Sequence, residues 1–168
     1  MLTKKAATKR RSRCPLNASV EMLGDRWSLL IVRDMMLRGF QTYKEFMESD
    51  EGIATNILAD RLRKLEAHGI ISTEGDATDG RKFIYLLTPK GIDLAPVLAE
   101  MVLWAARNEE TGNQELVHEL QTNKLGVVAE VRRRWAEKTT RSKEPITNEV
   151  DPRSTPIRSV IEPLRGLR

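Results

Sequence analysis

The sequence predicts a mainly α-helical protein that carries a small β-hairpin, arranged as a winged helix-turn-helix. Three observations predict this fold. Two short helices joined by a tight turn are expected between residues 40 and 68, and the second is amphipathic. Residues 70–88 then have the composition of a hairpin around Asp79-Gly80. A long helix and a C-terminal helical extension are expected to follow, in a dimeric assembly.

The N-terminal part predicts two helices that support this unit. A short helix is expected over 17–23, and a second over 26–38, which Asp25 can cap and Gly39 can end. The second helix carries apolar residues on nearly every side, which is typical of a buried helix. The sequence therefore predicts it as the central helix of the core.

The next two helices form the predicted helix-turn-helix. Thr42 and Glu45 make a capping box at the start of a helix over 42–48, and a turn with Gly52 follows. The second helix is expected over 55–68. Its inner row consists of three leucines: Leu58, Leu62 and Leu65. Its outer row is polar: Asn56, Asp60, Arg63 and Lys64.

The outer row has side chains suited to the major groove of DNA. Arg63 can bind guanine O6 and N7, Asn56 can pair with adenine, and Asp60 can accept from cytosine N4, whereas Lys64 suits a phosphate. The candidate contact residues of this helix are Thr55, Asn56, Ala59, Asp60, Arg61, Arg63 and Lys64. Polar helix faces are usually only solvated, but the position after a capped helix and before a basic hairpin favours DNA contact.

Two further basic segments are candidates for phosphate contacts. Arg81 and Lys82 follow the hairpin turn, where they can reach phosphates or the minor groove, unless they are ordinary charges of a polar turn. Residues 1–13 carry six basic side chains and no acid, whereas the whole chain is only +4. This stretch is either a solvated tail or a DNA-binding arm, with Lys9, Arg10, Arg11 and Arg13 as its candidate contacts.

After strands expected over 70–74 and 82–88, a long helix is predicted from Thr88-Pro89 to about Glu109, with Pro96 bending or loosening its first turns. Its apolar residues cover more than one face, which indicates contact with a second subunit. The candidate dimer residues are Val20, Leu23, Leu98, Met101, Val102 and Trp104.

Four segments are therefore expected. Residues 1–13 form a flexible basic arm, and 14–109 a winged-helix DNA-binding and dimerisation domain. Residues 110–139 form an additional helical extension with Gly126 as a candidate break, and 140–168 a proline-rich tail that is disordered or loosely docked.

Composition excludes several other classes of function. No apolar run is long enough for a membrane span, and the N-terminus lacks the apolar stretch of a secretory signal, so a cytoplasmic protein without membrane contact is expected. Two scattered histidines and one cysteine give no zinc spacing, and the common catalytic and phosphate-loop motifs are missing. We therefore expect no enzyme, no metal and no cofactor.

The single cysteine, Cys14, follows Arg11 and Arg13, which favour its thiolate form. An exposed thiolate can sense oxidants or electrophiles, whereas the alternative is an inert lone thiol.

Three segments resemble the HxlR family of winged-helix transcriptional regulators, together spanning roughly residues 14–107. They are CPLNASVEMLGDRWSLLIVRDMMLRGFQTYKEF, GIATNILADRLRKLEAHGII and DGRKFIYLLTPKGIDLAPVLAEMVLWA. The resemblance implies a MarR-like homodimer that binds a palindromic operator in double-stranded DNA, with the first and the long fifth helix building the dimer. It also implies a redox or electrophile response through a cysteine at the place of Cys14. A small molecule bound in the dimer cleft is the other candidate signal. Residues 110–168 lie outside the resemblance, and a winged-helix protein-interaction module that does not read DNA is the alternative function.

Overall fold

The computed structural model describes residues 12–75 and 83–141, with side chains up to Thr139. The elements, in chain order, are α1 (Pro15–Leu23), α2 (Ser28–Arg33) with a π-helical turn (Asp34–Arg38), α3 (Tyr43–Met47), α4 (Thr55–Ala67), β1 (Ile71–Gly75), β2 (Phe83–Leu87), α5 (Pro89–Ile92), α6 (Ala95–Asn108) and α7 (Gln114–Arg141). This order, with α3 and α4 followed by a two-stranded antiparallel hairpin, confirms the predicted fold class.

The second helix begins at Ser28, two residues later than predicted, and Asp25 supports its start. Its Oδ1 accepts the backbone N–H groups of Trp27 at 2.9 Å and Ser28 at 3.0 Å. The helix ends at Gly39, whose φ of 71° is left-handed and suits glycine. The last five residues widen into the π-helical turn, where the buried carboxylate of Asp34 accepts from the Arg33 guanidinium at 2.8 Å. The spacing of apolar residues along a helix does not distinguish a π-helical turn from an α-helical turn, so the sequence predicts only a helix here.

The capping box of α3 is present. Thr42 Oγ1 accepts the backbone N–H of Glu45, whose carboxylate in turn accepts the backbone N–H of Thr42 at 2.7 Å. Phe46 is buried against the core, and Gly52 has the left-handed φ that the turn before α4 requires. These local features fix the entry to α4.

The hairpin pairs Ile71 with Leu87 and, at its far end, Gly75 with Phe83. Its base is held by Thr88, whose hydroxyl donates to the Gly69 carbonyl at 2.7 Å. The predicted strands are confirmed to within about a residue at the ends that the structure describes, whereas the Asp79-Gly80 turn lies outside the described residues.

The long helix predicted after the hairpin is not continuous, and its first turns are interrupted next to Pro96, the residue predicted to bend or loosen them. The chain forms α5 and then α6, with Asp93 and Leu94 between them. Pro96 has no N–H to offer the carbonyl four residues earlier, so the α-helical hydrogen-bond ladder cannot run unbroken through this point.

The expected break in the last helix lies at Asn123 rather than Gly126, so that prediction is also corrected. Asn123 has non-helical angles, φ −144° and ψ 48°, and its side-chain oxygen accepts the backbone N–H of Gly126 at 3.1 Å. Asn123 thus caps the second half of α7. A Cβ at Gly126 would lie 2.2 Å from the Asn123 amide nitrogen, so glycine leaves the space that the cap occupies.

Two apolar clusters hold these elements together. The larger joins α1 to α4, the π-helical turn and the hairpin, and its most deeply buried side chains include Val32, Phe46, Leu58 and Leu65. The smaller joins α6 to the first half of α7 through Ala99, Leu103 and Leu120. The second half of α7 returns to the larger cluster, where Trp135 packs and donates its indole N–H to the Leu87 carbonyl at 2.8 Å.

Candidate nucleic-acid interface

Helix α4 separates an inner from an outer face. All three leucines of its inner row are buried, which fixes the helix to the larger cluster. On the outer face Asn56, Arg63 and Lys64 are exposed, and Asp60 is half-buried. The helix therefore presents donors and acceptors outward from a rigid support, which is the arrangement that base readout in a groove requires.

Asp60 lies among three cations on this face. Its carboxylate is 3.1 Å from Lys64 Nζ, 3.5 Å from an Arg61 guanidinium nitrogen and 3.8 Å from one of Arg63. The hydrogen bond from Lys64, followed by the charges of all three cations, lowers the pKa of Asp60 below its ordinary value. The acid is therefore ionised at neutral pH, and the cluster as a whole is positive.

Arg61 points toward the body of the protein more than its neighbours do. Its guanidinium is half-buried and lies 3.2 Å from Asp25 Oδ2, in the turn between α1 and α2. Partial burial by itself would raise the pKa of Asp25, but hydrogen bonds from Ser28 and Trp27 and the charge of Arg61 outweigh it and lower that pKa. The ion pair ties α4 to the second helix, a positioning role that the sequence did not predict for Arg61.

A second contact, which was not predicted from the sequence, fixes the first turn of α4. The hydroxyl of Tyr43, in α3, donates to the Thr55 carbonyl at 2.7 Å. Of the other candidate residues in α4, Thr55 and Asn56 are exposed, and Ala59 is half-buried. A tyrosine at the first position of a capped helix offers a hint of such a role, but its partner cannot be identified from spacing.

The β1–β2 hairpin is the wing of this winged helix-turn-helix. An open groove of about 480 Å³ separates α4 from the wing. Arg63 and Glu66 line it on the helix side, and Phe83, 59% exposed, lines it on the strand side. The candidate wing residues Arg81 and Lys82 directly precede Phe83 but lie outside the described residues.

The basic arm is described only at its end. Arg13 is exposed, whereas Lys9, Arg10 and Arg11 lie outside the described residues. Cys14 follows and is an exposed free thiol. Its backbone carbonyl accepts the N–H of Ala18 at 3.1 Å, so the thiol is carried at the N-terminal end of α1.

The candidate dimer residues fall in three environments. Val20, Met101 and Trp104 are exposed, the last by 60%. Leu98 and Val102 are half-buried beside α7, and Leu23 is buried in the protomer's own larger cluster, where it has little surface left for a partner. Two further apolar residues are exposed and lie one helical turn from a candidate, although they were not among the candidates: Leu16 and Val97.

Other kinds of site find no support in the ranges 12–75 and 83–141. No cluster of three or more His, Cys, Asp or Glu side chains there could hold a metal ion. Nor does any helix in these ranges combine the length and apolar character needed to cross a bilayer.

Comparison with known proteins gives a consistent result. The family model described as HxlR-like helix-turn-helix matches residues 22–113. The HTH-type transcriptional regulator YodB of Bacillus subtilis is 35% identical over 101 residues, which cover 60% of this chain and 89% of YodB. YvaP, an uncharacterized HTH-type transcriptional regulator of the same organism, is 33% identical over 93 residues, covering 55% of this chain and 85% of YvaP.

Two solved structures share the fold. PA1607, described as a putative transcription factor, superposes with a TM-score of 0.56 at 35% identity, covering 61% of this chain and 70% of PA1607. The redox regulator HypR in its oxidized form superposes with a TM-score of 0.51 at 28% identity, covering 58% of this chain and all of HypR. These relatives are transcriptional regulators, and none of them is described as an enzyme.

Proposed function

Because the chain belongs to the HxlR-like helix-turn-helix family of transcriptional regulators, we propose that it binds a palindromic operator in double-stranded DNA as a homodimer. The observation that carries this proposal is the outer face of α4, which is exposed and polar while the opposite face is anchored by buried leucines. In a dimer the two α4 helices enter successive major grooves about one turn of DNA apart.

Within α4 the proposed roles differ from residue to residue. Arg63, with its side chain 76% exposed, reads guanine, and Asn56 reads adenine. Lys64 holds a phosphate, and Asp60 orients the surrounding cations or accepts from cytosine N4. Arg61 acts mainly through its ion pair with Asp25, which sets the angle of the helix.

Phosphate contacts from outside α4 supply affinity without base readout. We assign this role to the arm residues Lys9, Arg10, Arg11 and Arg13 and to the wing residues Arg81 and Lys82. Counterion release makes such binding steeply salt-dependent, with each phosphate contact adding close to one unit of slope. The domain division proposed from the sequence, with a basic arm, a winged-helix domain, a helical extension and a tail, fits these roles.

The proposed dimer contact uses the exposed apolar rows of α1 and α6. Val20 of α1 and Met101 and Trp104 of α6 stay open to solvent in the single protomer. Burying such rows against a second copy removes apolar area from water, which favours association.

A mobility-shift assay with the DNA upstream of the chain's own gene tests the function. Wild-type protein is expected to shift this DNA at moderate salt in the presence of excess unrelated DNA. Arg63→Ala should lower the affinity by about tenfold or more, the cost of one bidentate base contact. Arg133→Ala is the matched control, because it removes the same charge from an exposed position on α7. No specific shift by the wild type would instead favour a winged-helix module that binds proteins.

We further propose that Cys14 makes DNA binding sensitive to oxidants or electrophiles. Its thiol is exposed at the N-terminal end of α1, the helix that carries one of the rows proposed for the dimer, so a change there would alter how the two subunits meet. The relative HypR is a redox regulator. Diamide can oxidise two Cys14 thiols of a dimer to one disulfide, taking up two electrons and two protons. With a quinone, the Cys14 sulfur instead bonds to a ring carbon, and the quinone, which takes up the thiol proton, becomes a hydroquinone thioether.

The expected result is weaker operator binding after diamide or quinone treatment of the wild type and no response in Cys14→Ser. Dithiothreitol should restore binding after diamide, because it reduces a disulfide. Equal operator affinity of treated and untreated wild type would remove the sensor proposal and leave the DNA-binding proposal intact.

A further inference from the structure

An apolar cavity of about 310 Å³ lies where α2, the π-helical turn, α6 and α7 meet. Its walls include Leu30 of α2, Met36 of the π-helical turn, Leu98 and Val102 of α6, and Val128 of α7. Five lining residues lie beyond residue 113, where the family match ends. The C-terminal extension therefore builds one wall of this cavity.

The charge of the lining limits what can bind there. Arg33 is the one charged side chain among the described lining residues. Its guanidinium is already engaged, by Asp34 at 2.8 Å and by Glu51 at 2.8 Å. A charged ligand would lose its hydration without gaining a counter-ion, whereas an uncharged apolar ligand would lose little. The lining thus selects for a neutral molecule.

The cavity borders the surface proposed for the second subunit but mostly faces a different direction. Along α6 the exposed row runs through Val97, Met101 and Trp104, whereas the cavity row runs through Leu98, Val102 and Ala105. Because successive helix residues are rotated by about 100°, the two rows face different directions and share only an edge at Met101. A partner seated on the exposed row therefore leaves most of the cavity open.

We propose that this cavity binds an uncharged, largely apolar small molecule and that its occupancy is transmitted to α4. Its volume falls at the lower end of the range for small-molecule sites, about 300–1,000 Å³, which suits a compound of two or three fused or linked rings. The flexible side chain of Met36 lets the wall adjust to different shapes. The transmission part of this inference rests on the proposed function, but the binding part does not.

The elements around the cavity give a physical route for transmission. Arg33 reaches from the cavity wall to Glu51, in the turn that precedes α4. On the opposite wall the two halves of α7 meet at Asn123, and the second half is fixed to the base of the wing by Trp135. A ligand that separates α2 from α7 therefore acts on the turn before α4 and on the wing together.

Direct binding is tested on the full chain without DNA, with the neutral fluorescent probe N-phenyl-1-naphthylamine. We expect a saturable rise in fluorescence with one probe per protomer. Ala105→Phe and Val128→Phe each fill the cavity from a different wall and should weaken binding by about tenfold or more, which corresponds to 1.4 kcal/mol. Arg107→Phe is the matched control, because it adds the same side chain to the exposed polar side of α6, outside the cavity and the proposed dimer row, and should bind like the wild type.

Circular dichroism of each variant establishes that it is folded. The two filling variants are independent, so one that fails to fold leaves the other as the test. No saturable signal in the wild type overturns the site. A further variant, Val97→Phe, alters the α6 row proposed for the dimer but not the cavity lining. Loss of the signal in Val97→Phe with retention in the filling variants also overturns the site, because the probe would then occupy the surface between two copies.

Transmission is tested by measuring operator affinity with and without saturating probe. We expect a change of about fivefold or more for the wild type, and none for a filling variant. Operator binding that is indifferent to bound probe overturns transmission. A wild-type protein that binds the probe but no operator contradicts the proposed function instead, so the two failures are distinguishable.

Discussion

Helices α4 and α7 are both amphipathic, but they are supported in different ways. The inner leucines of α4 all enter one cluster and are buried. The apolar residues of α7 are divided between two clusters, and several of them, including Val127 and Val128, stay half-buried beside the cavity. Leu125, next to the kink, is 82% exposed.

This difference matches what each helix is proposed to do. A helix that reads bases needs one fixed orientation, and dense packing of a single face provides it. A helix that spans two clusters with a cavity between them has less packing to hold it and can shift when the cavity fills. The comparison predicts that equivalent changes will have large effects in α4 and small ones in α7.

The largest expected effect is on stability. Leu58→Ala should lower the free energy of unfolding by about 2–5 kcal/mol, because it leaves a cavity in the densest part of the core. Val127→Ala removes apolar atoms that already border a cavity, so a loss of only about 1 kcal/mol is expected. Urea unfolding of both variants measures the two values. Equal losses would mean that α7 is as rigidly packed as α4.

The next effect concerns the apolar row of α6. Met101→Glu should convert the dimer to a monomer, because it introduces a charge into a surface proposed to be dry. Loss of the second subunit should weaken operator binding by about a hundredfold or more, since two linked sites bind more tightly than one. Arg107→Glu, at an exposed position on the polar side of α6, is the control. Sedimentation velocity gives the oligomeric state, and a wild type that is a monomer at micromolar concentration would contradict the dimer proposal.

A smaller effect is expected at the kink of α7. Asn123→Ala removes the cap on the Gly126 N–H and should cost about 1 kcal/mol of stability. Asn123→Asp retains a capping oxygen and should cost much less. Thermal unfolding of both variants distinguishes them. If the two variants lose equally, the side-chain cap does not stabilise the kink.

The smallest effect tests the support of α4 through Asp25. The folded protein holds the pKa of this carboxyl below its ordinary value of about 3.9, so its ionised form stabilises the fold above that pH. The stabilisation is lost as the pH falls through the lower, folded pKa. Asp25→Asn should therefore be less stable than the wild type at pH 7, by under about 1 kcal/mol, because asparagine retains a capping oxygen.

The difference in unfolding free energy between Asp25→Asn and the wild type should shrink below about pH 4. Measurement of this difference at pH 7 and at acid pH tests the sign. A difference that grows on acidification would contradict the ionised Asp25–Arg61 pair.

The features that could be predicted from the sequence are those that depend on residues close together along the chain. The capping box at Thr42, the left-handed glycine that ends the second helix, and the period of the α4 leucines all depend on contacts within one or two helical turns. For this reason the fold class and the exposed face of α4 were both predicted. The family resemblance was confirmed over residues 22–113.

Features that depend on distant residues were not predicted. The Arg61–Asp25 pair joins residues 36 positions apart, and Trp135 donates to a carbonyl 48 positions away. Gly126 is the candidate break in the sequence, whereas in the structure the break lies at Asn123 and the glycine makes room for the asparagine cap. Leu23 shares an apolar face with Val20 in the sequence, but in the structure Leu23 packs into the larger cluster whereas Val20 stays exposed.

The central claim, that the outer face of α4 reads bases, is tested most directly by measuring the affinity of wild type, Arg63→Ala and Lys64→Ala for every single-base variant of the operator. Arg63→Ala should lose discrimination at one symmetric pair of positions, worth about 1–3 kcal/mol. Lys64→Ala should weaken all sequences equally and reduce the salt slope by about one. An unchanged base preference in Arg63→Ala, together with a uniform loss of affinity, would contradict the claim.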